Sequence, residues 1–337
     1  AETVYLPAYS NQPLVITEGG TPGAYKLYTA NPLTGESVID LYGMFDNVEG
    51  QYCINVQASY VIIRGITMRG GEHGVFIDDE VWPDVYDVHD VVIEDCDISG
   101  WGTRCELTGF GDAGSAIFVD DGWIQSEERY DYGGMDHRIE RLVIQRNLIH
   151  DPRWDSNNWG EQNPCSSESS DYYHPWGPLP IYLRNTAGNH VIRYNDITTD
   201  DAHRFDDIIG GGSNFSYYGS PGRDSDVYQN WLDHCWDDAL EIEGGGCNVR
   251  VWGNYIDDTF TKIACVANSI GPLYVFRNIC ATSRASHGAW PGQENGSKFL
   301  KMGRKTDEVS GYFGVGQIFV FLNSVLQPRE DSFPDLV

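Results

Sequence analysis

The sequence predicts an all-β solenoid, a right-handed parallel β-helix with long inserted loops, and three observations carry that prediction. A short apolar strand followed by Asn and a further apolar residue recurs as "LVIQRNLI" (142–149), "HVIRYNDI" (190–197), "DVYQNWL" (226–232), "VRVWGNYI" (249–256), "LYVFRNIC" (273–280) and "IFVFLNSV" (318–325). A second strand follows each first one, as in "SAIFVDDG" (115–122), "LPIYLRN" (179–185), "FDDIIGGG" (205–212), "ALEIEGGG" (239–246) and "KIACVAN" (262–268). Asn230, Asn254 and Asn278 are spaced by 24 residues, and the longer intervals between Asn147, Asn195 and Asn230 and between Asn278 and Asn323 leave room for loops.

Two strands and a turn per repeat of that length make one coil of a solenoid. Stacked coils bring equivalent residues to about 4.8 Å, so an inward turn Asn can bond to the Asn of the next coil. A leucine-rich repeat needs a Leu framework that is absent, and a β-sandwich does not explain the recurring Asn. Two earlier relatives, "YVIIRGITM" (60–68) and "VVIEDCDI" (91–98), lack the Asn. The coils are expected over 55–326, with 1–54 as irregular first coils and cap. The tail 327–337, "QPREDSFPDLV", is short for a cap, so a continuation of the chain is expected.

Composition narrows the function. A hydrophobic fraction of 41% supplies a core, and no apolar run reaches the length of a membrane helix. The formal charge of −28 excludes a nucleic-acid partner, which needs a basic surface. Between Lys262 and Lys305, seven basic residues and one acid give +6, which leaves −34 on the rest of the chain. An acidic body with one basic segment suits an anionic ligand when a bound cation offsets the acids. Eight cysteines without a CxxC pair fit an oxidising compartment, with Cys96–Cys105, Cys235–Cys247 and Cys265–Cys280 as candidate bridges. The chain starts "AETVYLPAY" without Met, as after signal-peptide removal, so a secreted monomer is expected.

The densest chemistry lies in "DDALEIEGGG" (237–246). On a strand, Leu240 and Ile242 face one side and Glu241 and Glu243 the other. Stacking the second strands gives an outward column of Phe76 and Asp78, Phe118 and Asp120, Tyr182 and Arg184, Asp207, Glu241 and Glu243, and Lys301. Like charges at such spacing repel unless one is protonated or a cation sits among them. Asp207, Asp237, Asp238, Glu241 and Glu243 are therefore the candidate ligands of Ca2+, which takes six to eight oxygens.

On the strand and Asn pattern over 55–326, the chain resembles the right-handed parallel β-helix proteins, many of which are secreted polysaccharide lyases and hydrolases. It is similar to family-9 pectate lyases in having Asp207, then Asp237, Asp238 and Glu241, then Lys262, although that family carries Asp where Glu241 stands. Glu241-Ile242-Glu243 looks like the Glu-x-Glu calcium element of the chondroitinase B and alginate lyase family, but Arg250 rather than Lys follows it. The resemblance implies β-elimination on an anionic polysaccharide. Calcium, Arg184 and a lysine would neutralise the uronate, and Lys262 or Lys301 would take the C5 proton.

Two other classes compete. Carboxylates about 7 Å apart, such as Glu241 and Glu243, also suit an inverting glycoside hydrolase. A non-catalytic binding module needs only the aromatic loops. Residues 151–178 carry three Trp and two Tyr, and 213–223 read "SNFSYYGSPGR". Aromatic faces stack on sugar rings, and Trp176 and Tyr182 lie nearest the column. His203, just before an acidic strand, and Arg304, in the basic segment, complete the expected substrate contacts.

Overall fold

Strand alternation and a left-handed turn residue shape each coil. The computed structural model describes residues 2–42, 50–78, 88–121, 139–163, 173–212, 214–215, 217–284, 298–303, 305–307 and 311–326. Three short strands form a typical coil, as in Val143–Gln145, Leu148–His150 and Leu179–Arg184. The first strands of all coils stack in parallel as a 10-stranded sheet running from Thr3–Leu6 to Ile318–Phe321. The second and third strands merge into one 17-stranded sheet. The merger occurs because Trp231–Glu241 and Tyr255–Cys265, each 11 residues long, run straight through the corner between the second and third faces. The chain is a parallel β-helix.

Inward positions make the core. Ile54, Val75, Ile117, Ile181, Ile209, Leu240 and Ile263 pair in sequence up the third face, and each is 0% exposed. Burial of each such side chain contributes about 1.5–3 kcal/mol.

At the turn between first and second strands, Gly65, Asp95, Arg146, Tyr194, Gln229, Gly253, Arg277 and Leu322 all have φ between 53° and 67°. That conformation costs about 1–2 kcal/mol for a non-Gly residue. The next residue offsets the cost. From Asn147 to Asn323, each Asn Nδ2 donates to the Oδ1 of its neighbour at 2.9–3.0 Å. Backbone N–H groups donate to the same oxygens at 3.0–3.1 Å. The expected ladder is present, and it ends at Cys96, whose N–H donates to Asn147 Oδ1 at 3.0 Å.

Two expectations need correction. The described residues of 1–54 are not irregular: Thr3–Leu6 pairs with Lys26–Ala30, and Leu14–Ile16 with Tyr52–Val56, in the same parallel sheets as the later coils. None of the three cysteine pairs forms. Cys96, Cys235, Cys265 and Cys280 are free thiols that occupy inward, core positions, and Cys247 is free as well. Cys105 is disulfide-bonded.

Candidate functional site

The repeated Asp-Asp pair, not the repeated Gly-Gly-Gly, sets the register of the acidic coils. Aligning glycines would place Asp207 beside Glu241. The structure instead pairs Ile209 with Leu240, which stacks Asp207 under Asp238 and Gly210 under Glu241. Asp207 Oδ1 accepts the Asp238 N–H at 2.8 Å.

A β-bulge then breaks the strand alternation. Between Cys235 and Asp238 the strand carries one residue more than its neighbour, since Cys235 pairs with Thr259 and Asp238 with Thr261. A bulge re-aims side chains, so successive aspartates serve one pocket instead of opposite faces. Ligand oxygens of Asp207, Asp237 and Asp238 all lie within 4.8 Å of one another. Asp206 joins from the coil below, and Asp206, Asp207, Asp237, Asp238, Glu241 and Glu243 are all buried.

Glycine makes room for Glu241. A Cβ on Gly210 would stand 2.8 Å from Glu241 Oε2, and one on Gly211 would stand 1.7 Å from the Leu183 carbonyl oxygen. The Gly211 and Gly212 N–H groups each donate to Glu241 Oε2 at 3.2 Å, and Asn214 Nδ2 donates to Oε1 at 2.8 Å. Both oxygens of Glu241 are thereby taken by the protein. Glu243 Oε1 accepts the Val266 N–H at 3.1 Å and faces Lys301 Nζ at 3.6 Å. Lys301 Nζ donates to Asp238 Oδ2 at 2.6 Å.

Crowding sets the proton affinities. Burial, with the neighbouring carboxylates, holds Asp206 and Asp207 well above the usual carboxylate range. Burial pushes Asp237 up to about 6 and Glu243 to about 9, and in both Lys301 pulls the other way. Burial and then Asp237 push Asp238 up to about 7. Burial opposes the charge on Lys301, but Asp238, Asp237 and Glu243 outweigh it and hold the amine protonated well above the lysine range.

The donors fit a hard divalent cation. Asp206 Oδ1 and Asp238 Oδ1 are buried without a hydrogen-bond partner among the described residues. Three oxygens within 4.8 Å suit calcium, whose ligand distances of about 2.3–2.6 Å put opposed ligands about that far apart. Asp207, Asp237 and Asp238 would hold it, with Glu241 and Glu243 beside them.

Other expected site residues are dispersed. Lys262 is 1% exposed, its amine bonded to Thr259 Oγ1 at 3.1 Å and to the Thr282 carbonyl, and burial pushes it down to about 8. It makes no ion pair with the six carboxylates. Tyr182 and Arg184 do border the cluster, in line with Phe76 and Phe118 and with Asp78 and Asp120 respectively. Arg184 is ion-paired with Asp120, and burial pushes the Tyr182 phenol up to about 12. Trp176 donates its indole N–H to Asp112 at 2.7 Å, which fastens the inserted loop. His203 sits in a turn against Asp200 at 3.0 Å. Arg304 lies outside the described residues.

The basic segment is not one surface. Lys262 is internal, Arg284 is ion-paired with Asp201 and Asp258, and Arg277 is exposed at a first-to-second-strand turn. Two residues that sequence reasoning passed over join the cluster, Asp206 and His174. His174 Nε2 lies 3.2 Å from Asp237 Oδ2. The only signal for Asp206 was its place in the first Asp-Asp pair. His174 gave none, because it comes from a loop leaving a coil two below Asp237.

No family model and no curated protein matches the chain. Among solved structures, it is similar to the Dettilon tailspike protein, with a TM-score of 0.45 and 16% identity over 88% of this chain. It is also similar to a point mutant of the periplasmic alginate epimerase AlgG, with a TM-score of 0.35 and 12% identity over 90% of this chain. The chain spans about half of each, 51% in both cases.

Proposed function

We propose that the protein is a secreted polysaccharide lyase that cleaves an anionic glycan by calcium-assisted β-elimination. One observation carries this reading: six buried carboxylates converge, Lys301 is the only amine ion-paired with them among the described residues, and two of their oxygens lack a hydrogen-bond partner among the described residues. Such a cluster must retain protons or hold a cation.

The buried acids form a floor, and the groups able to meet a sugar form a rim. Side-chain exposure is 29% for Lys301, 33% for Arg184 and 40% for His174. Calcium, when bound, supplies positive charge that offsets the uronate carboxylate and the charge that grows on it as the C5 proton leaves. Arg184 orients the uronate from the neighbouring coil. Lys301 Nζ receives the C5 proton; the C4–C5 double bond forms, the C4–O bond breaks, and the leaving oxygen takes a proton from water. Lys301 can act as a base only when Asp237 and Asp238 are engaged elsewhere, because their charge otherwise keeps its amine protonated.

A panel of acidic and neutral polysaccharides, followed by ultraviolet absorbance and reducing ends with and without chelator, tests the reading. Absorbance should rise with calcium only, Lys301→Ala should lower the rate at least about a hundredfold, and Lys262→Ala should leave it within about twofold. Full activity in Lys301→Ala would remove the assigned base. Glu243, protonated up to about 9, favours a second reading as the general acid of a hydrolase. Reducing ends without absorbance, lost in Glu243→Gln and indifferent to chelator, would establish it.

A further inference from the structure

His174 brings a nitrogen to the far side of the acid cluster, and its hydrogen bonding fixes which nitrogen. Nδ1 lies 2.8 Å from the Pro175 carbonyl oxygen, which can only accept, so Nδ1 carries the proton. In the neutral ring Nε2 then presents a lone pair to Asp237 Oδ2 at 3.2 Å. Two acceptors at that distance need a proton or a cation between them. Asp206 supplies an independent sign of the same need. It is 5% exposed, its Oδ1 has no partner among the described residues, and a ligand oxygen of Asp206 lies within 4.8 Å of those of His174 and Asp237.

We propose that His174, Asp206 and Asp237 form a second cation position, selective for a divalent transition ion such as zinc, beside the all-oxygen position of Asp207, Asp237 and Asp238. Asp237 is common to both. One imidazole and two carboxylates match zinc, whereas calcium prefers oxygen throughout. Lys301 makes its ion pairs on the other side, at Asp238 and Glu243, and no described Lys or Arg forms an ion pair with Asp206. The ring is also held in the manner of a metal-ligating histidine. Its second nitrogen is bonded to a carbonyl, and its ring is tilted against Trp159 with centroids 4.5 Å apart, Trp159 in turn having its ring centroid 5.8 Å from that of Phe260. The three ligands come from three separate segments, so an ion here ties the 151–178 loop to the solenoid wall.

The inference involves no substrate and stands apart from the lyase reading. The test is calorimetric titration of the chelator-stripped chain with Zn2+ alone and with Ca2+ alone. His174→Gln and Asp206→Asn should each weaken Zn2+ at least about tenfold and leave Ca2+ within about twofold. Asp207→Asn should do the reverse. Because His174 lies on a partly exposed loop, His174→Gln should keep the wild-type circular dichroism. In the Mn2+-loaded chain, nitrogen modulation in pulsed EPR should be present in wild type and gone in His174→Gln. Absence of Zn2+ binding in wild type, or an unchanged Zn2+ isotherm in His174→Gln, would overturn the proposal and leave a shared proton between His174 and Asp237.

Discussion

Two stacks run up this solenoid, and both place one residue type on its counterpart in the next coil. The first is the ladder of asparagines and the second is the pair of Asp-Asp dipeptides. An amide both donates and accepts, so each rung satisfies the next. Asn254 gives its two N–H bonds to Val227 O and Asn278 Oδ1, and its oxygen receives two from Asn230. A carboxylate only accepts. Asp207 under Asp238 and Asp206 near Asp237 repel one another, and all four proton affinities rise. Identical stacking is therefore self-satisfying for amides and self-opposing for acids, and only the second kind of stack calls for something outside the chain.

The largest expected effect is on the ladder. Asn254→Ala removes four hydrogen bonds at a position with no exposure and strands the donors of Asn230 in the core. A loss of about 3 kcal/mol or more is expected, read from the denaturant midpoint. A loss under about 1 kcal/mol would mean the left-handed turns hold without the ladder.

Next comes pH. Asp237, Asp238 and Glu243 have folded values of about 6, 7 and 9, raised above their unfolded ones. Their contribution is fully present below the unfolded carboxylate range, about pH 4, and is lost as pH rises through the folded values. Lys262, depressed to about 8, opposes that trend only above its folded value. Chelated protein should therefore lose stability on the order of 2 kcal/mol between about pH 5 and 8, and calcium should flatten the curve. Asn254→Ala, which titrates nothing, should lower the curve without changing its slope. A flat curve in chelator would contradict the crowding.

Putting an amide into the acid stack should reverse the usual sign of a buried substitution. Asp207→Asn keeps an oxygen for the Asp238 N–H and removes one charge. In chelator it should raise stability by about 1 kcal/mol and abolish the calcium-induced rise in Tm. Destabilisation in chelator would show that Asp207 is held by unopposed favourable contacts.

The ladder was legible because one residue type repeats at one position, and the inward aliphatic stack because strands have period two. The acid cluster was only half legible. Its residues could be named from "DDALEIE", but the bulge at Asp237 inserts one residue that no propensity marks, and aligning the two Gly-Gly-Gly runs sets Asp207 beside Glu241, three residues beyond its true neighbour Asp238. Lys262 shows another limit. Alternation turns it outward from Ile263, and the chain at Thr282, twenty residues later, covers it. His174 reaches Asp237 only through the path of an inserted loop, a long-range fact that local pattern does not encode.

The smallest effect tests whether the ladder can grow. Cys96 holds the rung position in its coil, below Asn147, and its thiol lies 3.9 Å from the Ile63 carbonyl oxygen. The equivalent oxygen two coils on, Ile144 O, receives an Asn195 Nδ2 bond at 3.0 Å. In Cys96→Asn, Nδ2 would reach both Ile63 O and Asn147 Oδ1, as the rungs above do, while the new Oδ1 faces the Ile66 backbone N–H. Ile66 itself is apolar, so the ladder gains one rung and stops there. A gain of about 0.5–1 kcal/mol is expected from two added bonds against one more buried amide. An added carboxylate, Cys96→Asp, brings no donor and should cost stability at the same site. If both substitutions destabilised equally, the advantage of the amide would lie in the turns above Asn147 and not in stacking itself.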